Sequence, residues 1–377
     1  MDKPIIGFDA KRIVRNGTGL GSYGRTLVND LIRRGDYSLR LYAPDEGRAE
    51  LRNQIMEHSD VTFCYPRGRQ WLGKSWWRTT GMVSDLKQDG VRVFHGLSGE
   101  LPRGIRQSGI KSVVTIHDLI FLRHPEFYHW LDVKLYAWKF RQTLREADRI
   151  IAISECTKRD IMEYGEIDDS RITLIYQSFA PRFTTDVSKS LQEEVRRTYA
   201  LPARYVLNVG SIEARKNVLQ AVQALPLLPA DVSLVIVGRR TKYTGRVMDY
   251  VQRHGLSSRV HILNGVPDEH LPALYAMAET FVYPSVYEGF GIPIIEAISC
   301  GLPVVACTGS CLEEAGGPDS LYVAPGDVEA MATAIRRTLR GADGREERIE
   351  KSQQYVRRFC GQDVAGQVAD VYRSLLG

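Results

Sequence analysis

The sequence predicts an α/β protein built from two doubly wound domains in tandem, each with a parallel β-sheet. Compact apolar runs alternate with stretches of helical periodicity, and this alternation is typical of parallel strands joined by helices. At 377 residues the chain also exceeds the size of one ordinary domain. Apolar periodicity weakens between Pro181 and Pro202, so we expect domains at 1–185 and 200–353.

Each domain has its own series of predicted strands. The first strand, at 5–9, leads to a helix at 22–33, and a longer helix is expected at 127–145. The other apolar runs are interpreted as buried strands, at 39–43, 91–95, 111–116 and 149–153 in the first domain and at 205–209, 233–237, 260–263, 280–283 and 303–306 in the second. Ligands of such sheets bind at the carboxyl ends of the strands, so we expect the site in an interdomain cleft.

The composition is that of a soluble globular protein, with 44% hydrophobic and 25% charged residues. No apolar run approaches the roughly 18 residues that a membrane-spanning helix needs, and the first residues do not form a secretory signal, so we expect a cytoplasmic protein. The six cysteines lack the spacing of a metal site. The net charge of +5 is small and no recognised motif accompanies it, which argues against nucleic-acid binding.

A loop followed by a helix is predicted between Val282 and Ile298. Pro293 suits a first helical turn, which places Glu288 on the loop and Glu296 about one turn inside the helix. Carboxylates and loop amides are suited to binding the hydroxyls of a sugar. Acidic residues are also common at helix starts for dipole reasons alone, so this pair by itself leaves both interpretations open.

Two adjacent cations, Arg215 and Lys216, are predicted just before a helix at 218–225. They lie in the loop that begins at Gly210, after the first strand of the second domain. Cations at a helix N-terminus oppose the helix dipole, whereas anions are attracted there. This placement therefore favours a clamp for a diphosphate over a solvated charge pair.

A glycine cluster from Gly17 to Gly24 precedes the first long helix. Residues 19–24 match Gly-x-Gly-x-x-Gly, but a dinucleotide fingerprint should follow the first strand directly, and residues 10–18 intervene. We instead expect Gly19 and Gly21 to approach a phosphate or sugar through their backbone. An ordinary glycine-rich turn is the alternative.

His117 follows the predicted strand at 111–116 and is a further site candidate, although a lone histidine is more often structural. The chain contains no Asp-x-Asp, the usual carboxylate pair that holds a divalent ion on a nucleotide diphosphate. We therefore expect neither a metal nor another cofactor. Protein cations would have to neutralise a departing diphosphate.

Taken together, these motifs resemble those of glycosyltransferase family 4, group 1 type, whose members have the GT-B fold of two Rossmann-like domains facing a cleft. The likeness runs along nearly the whole chain. It rests on Gly210-Ser211 with Arg215-Lys216-Asn217, on Glu288-x7-Glu296 containing Glu-Gly-Phe-Gly, and on Gly19-Leu20-Gly21, His117-Asp118 and the stretch 154–160.

The resemblance implies a role for each candidate. Glu288 and the amides of Phe290 and Gly291 would hold the donor sugar, Glu296 would bind the ribose, and Arg215 and Lys216 would neutralise the diphosphate. His117 would lie by the transferred sugar, and the remaining expected donor contacts are Gly19, Gly21, Gly210, Val266 with Gly265, and the Leu271 region. The resemblance also implies retention of anomeric configuration without a metal, and a final helix at 354–377 that returns to the N-terminal, acceptor-binding domain.

The segment from Tyr65 to Arg78 mixes four cations with three tryptophans and no acid. Such a segment is suited to peripheral contact with the inner face of an anionic membrane or to a lipid-diphosphate acceptor. The alternative is that the tryptophans pack in the core while the arginines are solvated.

These observations predict a hexosyltransferase of surface polysaccharide synthesis that uses a nucleotide diphosphate sugar and a glycan or lipid-linked acceptor. The resemblance to mannosyl-transferring members of the family makes GDP-mannose the expected donor, with a UDP-sugar as the alternative. An NAD-dependent oxidoreductase and a non-catalytic glycan-binding or scaffold protein are the competing functions.

Overall fold

A computed structural model describes residues 3–67 and 73–377. The chain forms two compact units, one comprising Met1–Gln177 with Asp363–Gly377 and the other Ser178–Gln362. Each unit has a parallel sheet flanked by helices, as the alternating sequence pattern predicts.

Unit 1, the first of these, contains a seven-stranded sheet within the described residues. Its order is β3-β2-β1-β4-β5-β6-β7, and every pair is parallel. The strands are β1 Ile5–Asp9, β2 Ser38–Tyr42, β3 Val61–Cys64, β4 Val93–Gly96, β5 Lys111–Ile116, β6 Arg149–Ala152 and β7 Ile172–Leu174.

Unit 2 contains a six-stranded parallel sheet in the order β10-β9-β8-β11-β12-β13. The strands are β8 Arg204–Val209, β9 Val232–Val237, β10 Val260–Leu263, β11 Thr280–Tyr283, β12 Val304–Cys307 and β13 Leu321–Val323. The predicted strands of both units are confirmed. The edge strands β3, β7 and β13 were not predicted, because they are short and only partly buried.

Most of the helices pack on the sheets through an apolar face. None in the described ranges is long and apolar enough to cross a bilayer. The bounds are α1 Lys11–Arg15, α2 Gly19–Arg34, α3 Ala49–Arg52, α4 Lys74–Trp76, α5 Met82–Gln88, α6 Ile120–Arg123, α7 Trp130–Glu146, α8 Glu155–Gly165, α9 Lys189–Thr198, α10 Val218–Ala224, α11 Tyr243–Arg253, α12 Leu271–Met277, α13 Ile292–Ser299, α14 Leu312–Gly316, α15 Val328–Arg336, α16 Arg345–Val356 and α17 Val364–Leu376.

The C-terminal region differs from the single helix expected at 354–377. A 3-10 turn follows α16, and Gly361 has a positive φ of 62°, which interrupts the helix. The Asp363 side chain then accepts a hydrogen bond from the Gly366 N–H and caps α17. The helix that packs in unit 1 therefore begins at residue 364, where Tyr372 lies within hydrogen-bond distance of His95 (2.7 Å).

The boundary between the units also differs from the expected one. Residues 178–199, assigned from sequence partly to the first domain and partly to a linker, belong to unit 2. The physical reason is packing, because Phe183 lies edge-on to Tyr275 at 5.7 Å between ring centroids and is buried.

Candidate active site

The candidate site of unit 2 lies where its strand order changes direction. From β8 the chain continues outward through β9 and β10, then returns to place β11 on the other side of β8. The loops 210–217 and 284–291 leave the carboxyl ends of these neighbouring parallel strands and therefore lie side by side. The Val286 N–H donates to the Arg215 carbonyl at 2.9 Å, and Arg215 Nη1 donates to the Tyr287 carbonyl at 2.5 Å. Such a switch point is the usual ligand position in a doubly wound sheet.

Glu288 is held by two cations and two hydroxyls. Its Oε1 accepts from Lys216 Nζ at 2.8 Å, and its Oε2 lies 3.0 Å from Arg215 Nη1. Ser285 Oγ and the Tyr283 hydroxyl donate to Oε1 at 2.7 and 3.2 Å. The side chains of Glu288, Arg215 and Lys216 are only 13%, 16% and 18% exposed. We call Glu288, Arg215 and Lys216 the charged cluster.

The charged cluster is ionised at neutral pH. Burial would raise the pKa of Glu288, but Lys216 and Arg215 outweigh it and lower that pKa to about 2. Burial also disfavours the charged form of Lys216, yet the Glu288 carboxylate raises the pKa of the Lys216 amine above its usual value. One carboxylate between two cations leaves a net positive charge, which suits an anionic ligand.

Glycines allow the 210–217 loop to approach its neighbours closely. Gly210 has a φ of +152°, and a Cβ there would lie 3.2 Å from Lys216 Cδ. A Cβ on Gly238 would lie 1.9 Å from the Gly210 carbonyl oxygen, so that position excludes any side chain. The absence of a side chain at Gly210 therefore allows Lys216 its observed position, independently of any contact that Gly210 makes with a ligand.

The predicted loop and helix at 282–298 are confirmed. Helix α13 begins after Gly291, which has a φ of +113°, and Pro293 lies in its first turn. The amides of Phe290 and Gly291 thus lie at the amino end of α13, the end to which the N–H groups of a helix point. The Phe290 ring is buried and packs edge-on against Phe359 at 5.3 Å.

Glu296 occupies a separate place in unit 2. It lies one turn inside α13 and accepts a hydrogen bond from the Tyr275 hydroxyl of α12 at 3.2 Å. Burial raises the pKa of Glu296 to about 7, so its charge changes near neutrality. Leu271 begins the same helix α12, and Val266 with the exposed Gly265 follows β10 at the carboxyl edge of the sheet.

His117 belongs to unit 1, immediately after β5 as predicted. Its Nε2–H donates to the Leu97 carbonyl at 2.9 Å, and its Nδ1 accepts from Gln177 Nε2 at 3.0 Å. Burial lowers the pKa of His117 to about 4, so the ring is neutral at physiological pH. Tyr23 packs edge-on against it at 4.9 Å.

The glycines at the start of α2 differ in what surrounds them. A Cβ on Gly21 would lie 1.8 Å from the Asn16 carbonyl oxygen, so packing alone requires glycine there. Gly19 is exposed and nothing lies within 4 Å of its missing side chain, which leaves it accessible to a ligand. Helix α1 separates β1 from these glycines, which does not match a dinucleotide fingerprint.

The basic aromatic segment is divided between core and surface. Trp77 is buried and its Nε1 donates to Asp85 at 2.7 Å, whereas Trp76 is 46% exposed. Arg78 is not simply solvated, because it lies between Asp9 (2.6 Å) and Glu100 (2.5 Å). Arg69 and Trp71 fall in 68–72, outside the described residues.

Sequence reasoning missed three of these partners. Ser285 lies three residues before Glu288, and a search of the local loop for hydroxyls would have found it together with Tyr283. Gln177, which fixes the His117 ring, is sixty residues away and lies in no motif.

Two family descriptions match the chain. "Glycosyltransferase Family 4" matches residues 17–181, and "Glycosyl transferases group 1" matches residues 192–355. The chain belongs to the family 4, group 1 glycosyltransferases, and it is therefore a glycosyltransferase. The two parallel-sheet units are those of the GT-B fold.

The proteins to which this chain is similar support the assignment to this family. O-antigen chain mannosyltransferase B of Escherichia coli is 28% identical, over 95% of this chain and 96% of that protein. Sucrose-phosphate synthase of Thermosynechococcus elongatus has a similar structure, with a TM-score of 0.80, 22% identity and 99% of both chains covered. HepE of Anabaena, in complex with UDP-glucose, has a TM-score of 0.77 at 18% identity, over 98% of this chain and 99% of that one.

Proposed function

We propose that this enzyme transfers a hexose from a nucleotide diphosphate sugar to a glycan or lipid-linked acceptor in surface polysaccharide synthesis. Similarity to an O-antigen chain mannosyltransferase supports mannose, and hence GDP-mannose, as the donor. The UDP-glucose complex of HepE supports a nucleotide-sugar donor and makes a UDP-sugar the alternative.

The observation that carries the proposal is the charged cluster at the strand switch point of unit 2. Glu288 is ionised, so it accepts hydrogen bonds from sugar hydroxyls and is not a proton donor. Arg215 and Lys216 together exceed its charge, and their surplus is suited to a diphosphate. Sugar-binding and phosphate-binding groups thus meet within one hydrogen-bonded cluster.

The proposed reaction retains anomeric configuration. The bond between the anomeric carbon and the β-phosphate oxygen breaks, and the acceptor hydroxyl oxygen bonds to that carbon on the same face. The hydroxyl proton passes to the departing phosphate oxygen, while Arg215 and Lys216 stabilise the negative charge that develops on the diphosphate. The absence of Asp-x-Asp from the sequence motivates the proposal that no metal takes part.

The other roles follow the family resemblance. Glu296 would accept hydrogen bonds from ribose hydroxyls, and the Phe290 and Gly291 amides would donate to the sugar. Roles for His117 and Gly19 stay predictions, and the neutral state of His117 argues against a role as proton carrier at physiological pH.

A panel of nucleotide sugars tests the proposal. The purified protein is incubated with GDP-mannose, UDP-glucose and UDP-galactose in EDTA, and we measure melting temperature and nucleotide release. A ligand that binds only the folded state must raise the melting temperature. We expect one donor to do so, to release its nucleotide without added metal and, with an acceptor, to give a product of unchanged anomeric configuration by NMR. Stabilisation by none of the donors, or nucleotide release only with metal, would contradict it.

A further inference from the structure

Helix α7 of unit 1 has an exposed face with an unusual composition. Successive residues of a helix advance by about 100°, which places seven exposed side chains within an arc of roughly 140°. Two of them, Trp130 and Trp138, are 59% and 48% exposed. The α7 face consists of Trp130, Leu131, Lys134, Leu135, Trp138, Arg141 and Arg145.

The α7 face is apolar and cationic, without an acid. The acids of this helix, Asp132 and the buried Glu146, lie outside the arc. Lys134 Nζ lies 4.7 Å from the Trp130 ring centroid, and Arg103 lies over Trp138 at 5.8 Å. Among the described residues, the ion pairs do not include Lys134, Arg141 or Arg145, so their charge is not neutralised by a neighbouring acid.

Exposed large hydrophobic side chains are concentrated on α7 and are not spread evenly over the surface. Nine large hydrophobic side chains are exposed in the described part of the chain, and four of them, Trp130, Leu131, Leu135 and Trp138, lie on the α7 face. Trp76 of α4, which is also exposed, lies on the segment 74–82, which borders the same pocket as Trp138 through Arg78 and Thr79. The opposite side of α7 is an ordinary core face that buries Phe140 and Leu144.

We propose that the α7 face docks unit 1 on an anionic phospholipid bilayer. Tryptophan is suited to the boundary between head groups and acyl chains, and lysine and arginine beside it attract anionic lipid. A second copy of the chain fits less well, because a two-fold contact would bring the cations of two such faces together. Docking would also bring the pocket beside Trp138 to the membrane surface, where a lipid-linked acceptor would be present.

Vesicle co-sedimentation tests this proposal without donor or acceptor, so its outcome is independent of the proposed transfer reaction. The probes are vesicles of phosphatidylcholine alone and of phosphatidylcholine with about 30 mol % phosphatidylglycerol. We expect the wild type to bind the anionic vesicles and to bind the neutral ones much more weakly. The variant Lys134→Glu/Arg141→Glu/Arg145→Glu should lose at least about 100-fold in partitioning, since each of the three cations near the surface contributes about 1 kcal/mol, or about fivefold.

Two further variants distinguish a lipid face from general electrostatics. Trp130→Ser/Trp138→Ser should weaken binding although charge is unchanged. A control with the same change in net charge, Arg33→Glu/Lys189→Glu/Arg253→Glu, should bind within a few-fold of wild type. All variants are at exposed positions, and unchanged circular dichroism and melting temperature verify the fold.

Several results would overturn the proposal. These are no wild-type binding to anionic vesicles, equal binding to neutral and anionic vesicles, or an equal loss in the control and the α7 variant. A wild-type dimer that the α7 variant converts to a monomer, without vesicle binding, would assign the face to a second copy instead.

Discussion

The replacement Glu288→Gln removes the carboxylate charge from the charged cluster and preserves the shape of the side chain. Lowering the pKa of Glu288 from 4.5 to about 2 corresponds to about 3 kcal/mol of interaction with its neighbours, at about 1.4 kcal/mol per pKa unit. That agrees with the ~3–5 kcal/mol for breaking a buried ion pair by removing one partner. We expect this order of loss in the free energy of unfolding, measured by urea denaturation at pH 7.

Activity should fall further than stability explains. Glutamine presents N–H donors to Arg215 or Lys216 and loses one acceptor for sugar hydroxyls. We expect kcat, measured as nucleotide release from the donor, to fall about 10²–10³-fold, the range for removal of one group that stabilises a transition state electrostatically.

The matched control is a carboxylate at the other end of β11 from the loop that carries Glu288. Glu279 is buried just before β11 and pairs with Arg204 at 3.2 Å, and it also accepts from the Arg340 N–H at 2.8 Å. Glu279→Gln should therefore cost comparable stability and leave kcat of the folded enzyme near the wild-type value. Equal losses of activity in the two variants, or full activity in Glu288→Gln, would refute the assignment.

Further predictions concern Gly210 and Glu296 of unit 2. Gly210→Ala should raise the donor KM about tenfold, because a Cβ at φ +152° displaces Lys216. The control Gly255→Ala, also at positive φ but with open space around it, should affect only stability. Equal donor KM values for Gly210→Ala and the wild type in steady-state kinetics would contradict this. Because the pKa of Glu296 is about 7, its carboxylate is protonated at lower pH and accepts ribose hydroxyls less well, so donor KM should rise from pH 8 to pH 6, and Glu296→Gln should abolish that dependence. The raised pKa stabilises the fold at low pH and this contribution is lost as pH rises through 7, so the melting temperature of Glu296→Gln should gain on wild type from pH 5 to pH 8; parallel curves would count against it.

Local signals in the sequence were sufficient for the loop and helix around Glu288. Pro293 and the two glycines that precede it specify a chain reversal and a helix start, and both depend only on backbone chemistry. The sequence also predicts that Arg215 and Glu288 lie at the same edge of a sheet, because the βα junctions of a parallel sheet share one edge, whereas their direct proximity depends on the strand order that makes β8 and β11 neighbours.

Long-range packing accounts for what the sequence did not predict. The division of the C-terminal helix depends on Gly361 and on the cap at Asp363, but the apolar periodicity continues past both. Gln177 fixes the His117 ring from sixty residues away, and Arg78 is buried only because Asp9 and Glu100 meet there. The structure also pairs Glu288 directly with Arg215 and Lys216, although the sequence analysis assigned the donor sugar to Glu288 and the diphosphate to the two cations.

Paired titrations of nucleotides test the central claim, that the charged cluster binds the donor diphosphate, most directly. Calorimetry compares wild type with Arg215→Met/Lys216→Met, using whichever of GDP and UDP stabilises the wild type, and the corresponding nucleoside. Hydrogen bonds to charged groups contribute about 1.5–3 kcal/mol each, so the diphosphate should bind at least about 100-fold more weakly to the variant. Nucleoside affinity should be unchanged, which would also show that the variant is folded. Equal diphosphate affinity in both proteins, or an equal loss for the nucleoside, would contradict the account.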